Sequence, residues 1–190
     1  MSLMRIKLAV LVLTIWVAPV ARAQTTESSE CSTRRLAAAD AATLEFTQLR
    51  LRTAVIANEH DAAREVSLYF RELARVIGEY ERVSECGDVL RTITALGREG
   101  QLYEELASII SIQADRYPAL RREQMEAECG AIQRYILALR SARQIGAPSR
   151  TAQMSLGRLQ AYSRDRVVAC VEAARVSTPS IPSVSDADLR

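Results

Sequence analysis

The sequence is short of most of the residues from which enzyme centres and β-rich domains are built. Lys7 is its only lysine, His60 its only histidine and Trp16 its only tryptophan in 190 residues. Aromatic residues amount to 5%, too few for an aromatic-rich β-sandwich. Seven glycines and five prolines exclude a collagen-like or low-complexity chain. With one histidine, any Ser-His-Asp or Cys-His pair would have to be built on His60, and the di-iron centre of helical bundles, which needs Glu-x-x-His on two helices, is excluded. Cys31, Cys86, Cys129 and Cys170 include no Cys-x-x-Cys and no Cys-x-x-Cys-His, so zinc-ribbon, thioredoxin-type and c-type haem readings fail. What is present, 48% hydrophobic and 25% charged residues, is the composition of a globular, predominantly helical protein.

The N-terminus reads as an export address. Arg5 and Lys7 precede an apolar run from Leu8 to Ala18, and Ala21-Arg22-Ala23 supplies the small-x-small pattern of a cleavage site. The run is shorter than the ~20 apolar residues of a membrane span. Residues 1–23 are therefore expected to be a signal peptide, with no transmembrane span after cleavage. Its removal leaves 22 of the 25 basic residues against all 23 acidic ones, a net charge of −1 in place of +2. All 22 are arginine, which together with the alanine-rich helices suggests a bacterial genome of high GC content. A near-neutral, charge-mixed chain lacks the clustered basic face that nucleic-acid binding requires. Four cysteines in an oxidising compartment point to two disulfides.

Helical periodicity dominates the rest. Residues 24–31 are polar and aperiodic and are expected to be a flexible segment. Ser32 or Thr33 then caps a first helix whose stripe is Ala39, Ala42, Phe46, Leu49, Thr53 and Ile56. The pattern pauses at Asn58-Glu59-His60-Asp61, where Asn58 or Asp61 caps a second helix to about Glu85, although one continuous helix over 33–85 is an alternative. The second helix carries the heptad Val66, Phe70, Leu73, Ile77 and Tyr80, and Gly87 ends it. Asp88 caps a short helix to Leu96 that Gly97-Arg98-Glu99-Gly100 breaks. A further helix follows to Tyr117-Pro118. Helix four, about 119–144, has Met125, Cys129, Ile132, Ile136 and Leu139 in its seam and ends at Gly146-Ala147-Pro148. Ser149 caps a last helix through Leu156, Leu159, Ser163, Val167, Cys170 and Ala174. Residues 32–176 thus form one all-α antiparallel bundle of about five helices, and residues 177–190 a Pro/Ser-rich disordered tail.

In an antiparallel hairpin, residues equidistant from the turn lie at one height, because both arms rise ~1.5 Å per residue. Cys31 and Cys86 are centred on the Asn58–Asp61 pause, and Cys129 and Cys170 on the Gly146–Ser149 break. This predicts the pairs Cys31 with Cys86 and Cys129 with Cys170, and hence two disulfide-stapled hairpins.

No chemistry-bearing constellation stands out. Glu59-His60-Asp61 falls at a turn, where three adjacent residues cannot converge on one ion. Glu104-Glu105 and Glu123, Glu126 and Glu128 could be a carboxylate pair for hydrolysis, but arginines one turn away read them as ion-pair partners on a wet face. The paired arginines, interleaved with acids, read as solvated surface. Tyr117, Tyr135 and Tyr162 lie beside the heptad seams, where they either pack the flanks of the bundle or form a contact patch. The reading is an exported, periplasmic or secreted, non-enzymatic binding or structural protein of the bacterial envelope, with no catalytic residue, cofactor or metal and with protein partners. The alternatives are a subunit of an envelope complex or secretion machine, held by the broad apolar face of the first helix, and an enzyme with an unrecognised carboxylate-based site.

Overall fold

A computed structural model describes residues 26–48, 58–146 and 149–177. The expected signal peptide and all but the first residue of the expected tail lie outside them, as do Leu49, Thr53 and Ile56 of the first stripe. All regular structure among the described residues is helical, with α1 over 26–48, α2 Glu59–Ser84, α3 Val89–Ala114, a single 3₁₀ turn Pro118–Leu120, α4 Arg121–Gln144, α5 Arg150–Ala161 and α6 Arg164–Ser177. This is an all-α bundle. None of these helices is long and apolar enough to cross a membrane.

Local chemistry accounts for most of the ends. Asn58, Asp88 and Ser149 each accept a hydrogen bond from the backbone N–H three residues on, and so cap α2, α3 and α5. Gly87 and Gly146 follow α2 and α4 with φ of 74° and 61°, the left-handed region that favours glycine at a helix C-terminus. The first helix begins earlier than its residue types suggest. Residues 26–31 are helical rather than flexible, and Ser32 is no cap, being fully buried with its hydroxyl donating to Asp88 Oδ2 at 3.0 Å. Ser28 Oγ donates to the Cys86 carbonyl. Partners on the α2–α3 corner thus supply the order that the local sequence does not.

Both expected disulfides are present. Cys31 is bonded to Cys86 and Cys129 to Cys170, with Cα–Cα distances of 5.7 and 4.9 Å. A continuous helix over 33–85 would hold Cys31 and Cys86 ~80 Å apart, so that alternative is eliminated. Each bond closes a loop long enough to remove roughly 4 kcal/mol of chain entropy from the unfolded state.

Two apolar cores result. Ala39, Ala42 and Phe46 of α1 pack with Val66, Tyr69, Leu73, Val76, Tyr80 and Val83 of α2 and with Leu102, Leu106 and Ile110 of α3, and Phe46 meets Tyr69 edge to face. Ile132, Ile136 and Leu139 of α4 pack with Ala152 and Leu159 of α5, Val167 and Cys170 of α6, and Ile93 of α3. Helix α3 is shared, and Tyr103 packs against both cores.

Three expectations are corrected here. Gly97-Arg98-Glu99-Gly100 does not break α3, which is continuous over 26 residues. A Cβ at Gly97 would strike Thr151 Cγ2, and one at Gly100 would strike the Tyr135 ring; these glycines are sockets for neighbouring side chains. The last helix is instead divided, because Tyr162 is extended and Ser163 Oγ caps α6 by accepting from Arg166 N at 3.3 Å. Met125 is 49% exposed; the seam of α4 starts at Ala127 and Ala131, small residues that let α3 approach closely.

The most extensive helix pair is α3 with α4, and it interlocks reciprocally. Tyr135 of α4 lies on Gly100 of α3, and Tyr103 of α3 lies on Gly130 of α4, where a Cβ would fall 2.6 Å from ring Cδ1. Gly100→Ala and Gly130→Ala should each destabilise the oxidised protein by about 1–3 kcal/mol through overpacking, despite the ~1 kcal/mol that alanine adds to a helix interior. Gly78→Ala and Gly157→Ala, in α2 and α5 with nothing within 4 Å of the added carbon, should stabilise by up to ~1 kcal/mol. Equilibrium urea unfolding of the four variants checks the opposite signs.

Candidate functional site

Polar side chains enter the bundle along the α3–α4 seam. Glu104 of α3 is the centre of one group. Its Oε2 accepts from the Tyr135 hydroxyl at 2.8 Å and its Oε1 from the Tyr162 hydroxyl at 3.1 Å, and Arg158 Nη1 of α5 stands 3.6 Å from Oε2. Burial, reinforced by the Glu104 carboxylate, holds both phenols far above the ordinary range, so each remains a hydrogen-bond donor. Next to this group, Glu128 of α4 accepts from Gln124 Nε2 at 3.0 Å and pairs with Arg166 Nε of α6 at 3.2 Å.

One turn back along α3 lies Glu99, 1% exposed. Arg134 of α4 places Nε 2.9 Å from Glu99 Oε2, in an ion pair whose N–H is not aligned for a hydrogen bond. The same guanidinium donates through Nη2 to Glu81 Oε1 of α2 at 3.1 Å. Burial pushes the Glu99 carboxyl up to about 7, against the pull of Arg134 and with a further push from Glu81. Burial also raises the adjacent Tyr103 hydroxyl, with Arg134 opposing. Across the first core, Asp40 of α1 accepts from the Tyr80 hydroxyl at 2.8 Å and pairs with Arg98, and Tyr80 also meets Thr43 Oγ1 at 2.9 Å.

The three tyrosines expected beside the seams are placed differently from a surface patch. Tyr135 is wholly buried, so it belongs to no contact surface. It and the half-buried Tyr162 converge on Glu104. Tyr117 is remote from them at the 3₁₀ corner, with the Arg116 guanidinium 5.2 Å from its ring centroid and its hydroxyl buried without a hydrogen bond. Glu104 is correspondingly not the wet-face residue that its neighbour Glu105 suggests. Glu99 and Arg134 were invisible in the sequence because Glu99 lies inside an apparent glycine turn. His60 is exposed in the first turn of α2. Among the described residues no group of three His, Cys, Asp or Glu side chains is arranged to hold a metal ion.

Chemically, the Glu104 group is saturated. Both carboxylate oxygens are taken by phenols. The Glu99 group has a carboxyl with a proton affinity near neutrality, the property of an acid–base residue, but within a packed interior. The fold and its seam define a disulfide-linked all-α bundle with a buried tyrosine–carboxylate network. No protein-family model, no curated protein and no solved structure matches the chain.

The Tyr135 hydroxyl is the stronger test of the network, because it is the more buried donor. Tyr135→Phe should cost about 1–2 kcal/mol, since a hydrogen bond to a charged group is lost while Tyr162 and Arg158 still serve Glu104. Tyr162→Phe should cost less. Denaturant unfolding at pH 7 ranks the two.

Proposed function

We propose that this chain is an exported, non-enzymatic binding or structural protein of the bacterial cell envelope, acting through protein partners in the periplasm or outside the cell. The observation that carries the reading is the pair of disulfides, which takes up all four cysteines and is the cysteine usage of chains that fold in an oxidising compartment. The charged N-terminus, apolar run and Ala21-Arg22-Ala23 of the first 23 residues support the same route. The polar groups of the interior bind one another across helices, and that arrangement serves rigidity and a fixed outer surface.

Two observations favour other readings. Leu44 is 60% exposed on α1; an exposed leucine on this helix suits a subunit of an envelope complex or secretion machine. The proton affinity of Glu99 suits an enzyme with a carboxylate-based site, although a substrate could reach that carboxyl only if α3 and α4 parted.

Export has a direct optical signature. Trp16 lies in the apolar run, so processed protein recovered from the periplasm or medium should show tyrosine-only fluorescence. Tryptophan emission from exported material would refute processing after Ala23. Crosslinking in the native organism, followed by identification of envelope proteins that co-purify, separates the remaining readings: a stoichiometric envelope partner supports the binding role, and turnover abolished by Glu99→Gln in a folded variant replaces it with the enzyme reading.

A further inference from the structure

The Glu81–Arg134–Glu99 group has an unbalanced charge count. Two carboxylates, on α2 and α3, share one guanidinium on α4. Glu81 is exposed to solvent and is hydrated, whereas Glu99 is enclosed. The other ionisable groups packed around α3 do not correct the balance. Asp40 of α1 is matched by Arg98, Tyr80 of α2 and Tyr103 of α3 itself are neutral phenols, and Arg158 of α5 and Arg166 of α6 are engaged by Glu104 and Glu128. When Glu99 is ionised, the group carries one negative charge in excess, and the enclosed carboxylate, beside the Tyr103 ring that packs against both cores, has only a shared guanidinium as partner, with no aligned hydrogen bond at Oε2. A buried charge so incompletely matched is costly.

We propose that this group is a proton-operated clasp: uptake of one proton by Glu99 neutralises the three-residue cluster and closes the α3–α4 seam, and its loss leaves a net negative charge between the helices and loosens them. The device makes the bundle tighter in mild acid, contrary to the usual course of acid denaturation. The sign follows from linkage. The Glu99 carboxyl is raised from the ordinary 4.5 to about 7 in the folded chain, so between those values the folded state binds the proton more strongly than the unfolded state. Stability contributed by that proton is fully present below the lower value and is lost as pH rises through the upper one. For an exported protein, whose surroundings follow the acidity of the medium, this range is one the molecule meets.

The test uses the mature, oxidised chain. The side-chain carboxyl ¹³C signal of Glu99, assigned by its absence in Glu99→Gln, should titrate with a midpoint near 7, and the thermal midpoint should rise by roughly 5–10 °C on going from pH 8.5 to pH 5.5. The near-ultraviolet circular dichroism of the tyrosines should strengthen over the same interval. Glu99→Gln is the neutral isostere, so both responses should become flat at the acid-side value. His60→Ala should leave both in place, which separates the clasp from the one histidine. If Glu99→Gln fails to fold, Glu81→Gln gives the same decision: without the second carboxylate the Glu99 midpoint and the melting response move together to lower pH. A Glu99 midpoint below 5, or a melting response unchanged in Glu99→Gln, or unchanged in Glu81→Gln, would overturn the proposal.

Discussion

The close approach of α3 to α4 is the constraint on which the rest of the structure depends. Tyr135 occupies the space above Gly100 and Tyr103 the space above Gly130, so each helix offers a ring where the other has no Cβ. The exchange allows two helices of 26 and 24 residues to pack together while burying large aromatic rings against each other's backbone, which a Cβ at either glycine would prevent. It fixes axial register too, because a shift of one turn would bring the Tyr103 ring from Gly130 against a residue with a Cβ. Each interior glycine costs a helix about 1 kcal/mol relative to alanine, and ring burial offsets it. Arg134 and Tyr135 are adjacent on α4, so the register set by the rings also delivers the guanidinium to Glu99 and the phenol to Glu104.

The remaining helices are arranged around this pair. On one side, α1 and α2 close over the C-terminal half of α3, with Cys31–Cys86 at the end where α2 turns into α3. On the other, α5 and α6 close over α4, with Cys129–Cys170 joining α4 directly to α6. Covalent bonds thus secure the outer helices, whereas the central pair is held by shape and by buried polar contacts. The difference matters for function, since reversible adjustment can occur only where no covalent bond forbids it. The seam is such a place, and it contains the enclosed Glu99, whose carboxyl burial pushes up to about 7.

Much of this was readable in the residues. The described part of the α1 stripe (Ala39, Ala42 and Phe46), the stripe of α2, the caps Asn58, Asp88 and Ser149 and the stop at Gly87 follow from local rules, and each is found. The cysteine pairs came from equal distance to a turn, a geometric property of antiparallel hairpins. What local rules misread was glycine. Gly97 and Gly100 carry the signature of a helix break, and only the presence of Thr151 and Tyr135 across the interface turns them into sockets. The equidistance argument that paired the cysteines also applies here: Gly100 with Tyr135, Tyr103 with Gly130 and Glu99 with Arg134 are all centred on the Tyr117-Pro118 corner. Treating that corner as a hairpin turn, and not as the end of a kinked segment, would have placed ring opposite glycine and acid opposite base. The order of residues 26–31 had no local signal, because it rests on distant partners, Asp88 and Cys86; the division of α5 from α6 had one, the Ser163 cap, hidden within the periodic stripe of the expected last helix.

The central claim is that the interlocked α3–α4 pair, and not the disulfide-secured outer helices, is the most stable part of the molecule. Native-state amide hydrogen exchange of the oxidised protein at pH 5.5, where Glu99 holds its proton, measures this directly, residue by residue. The account predicts that the slowest amides, exchanging only through global unfolding, cluster around Gly100 to Leu106 of α3 and Ala131 to Leu139 of α4, with α1 and α6 opening at lower free energy. Greatest protection in α1 or α6, with α3 and α4 exchanging through a local opening, would contradict it.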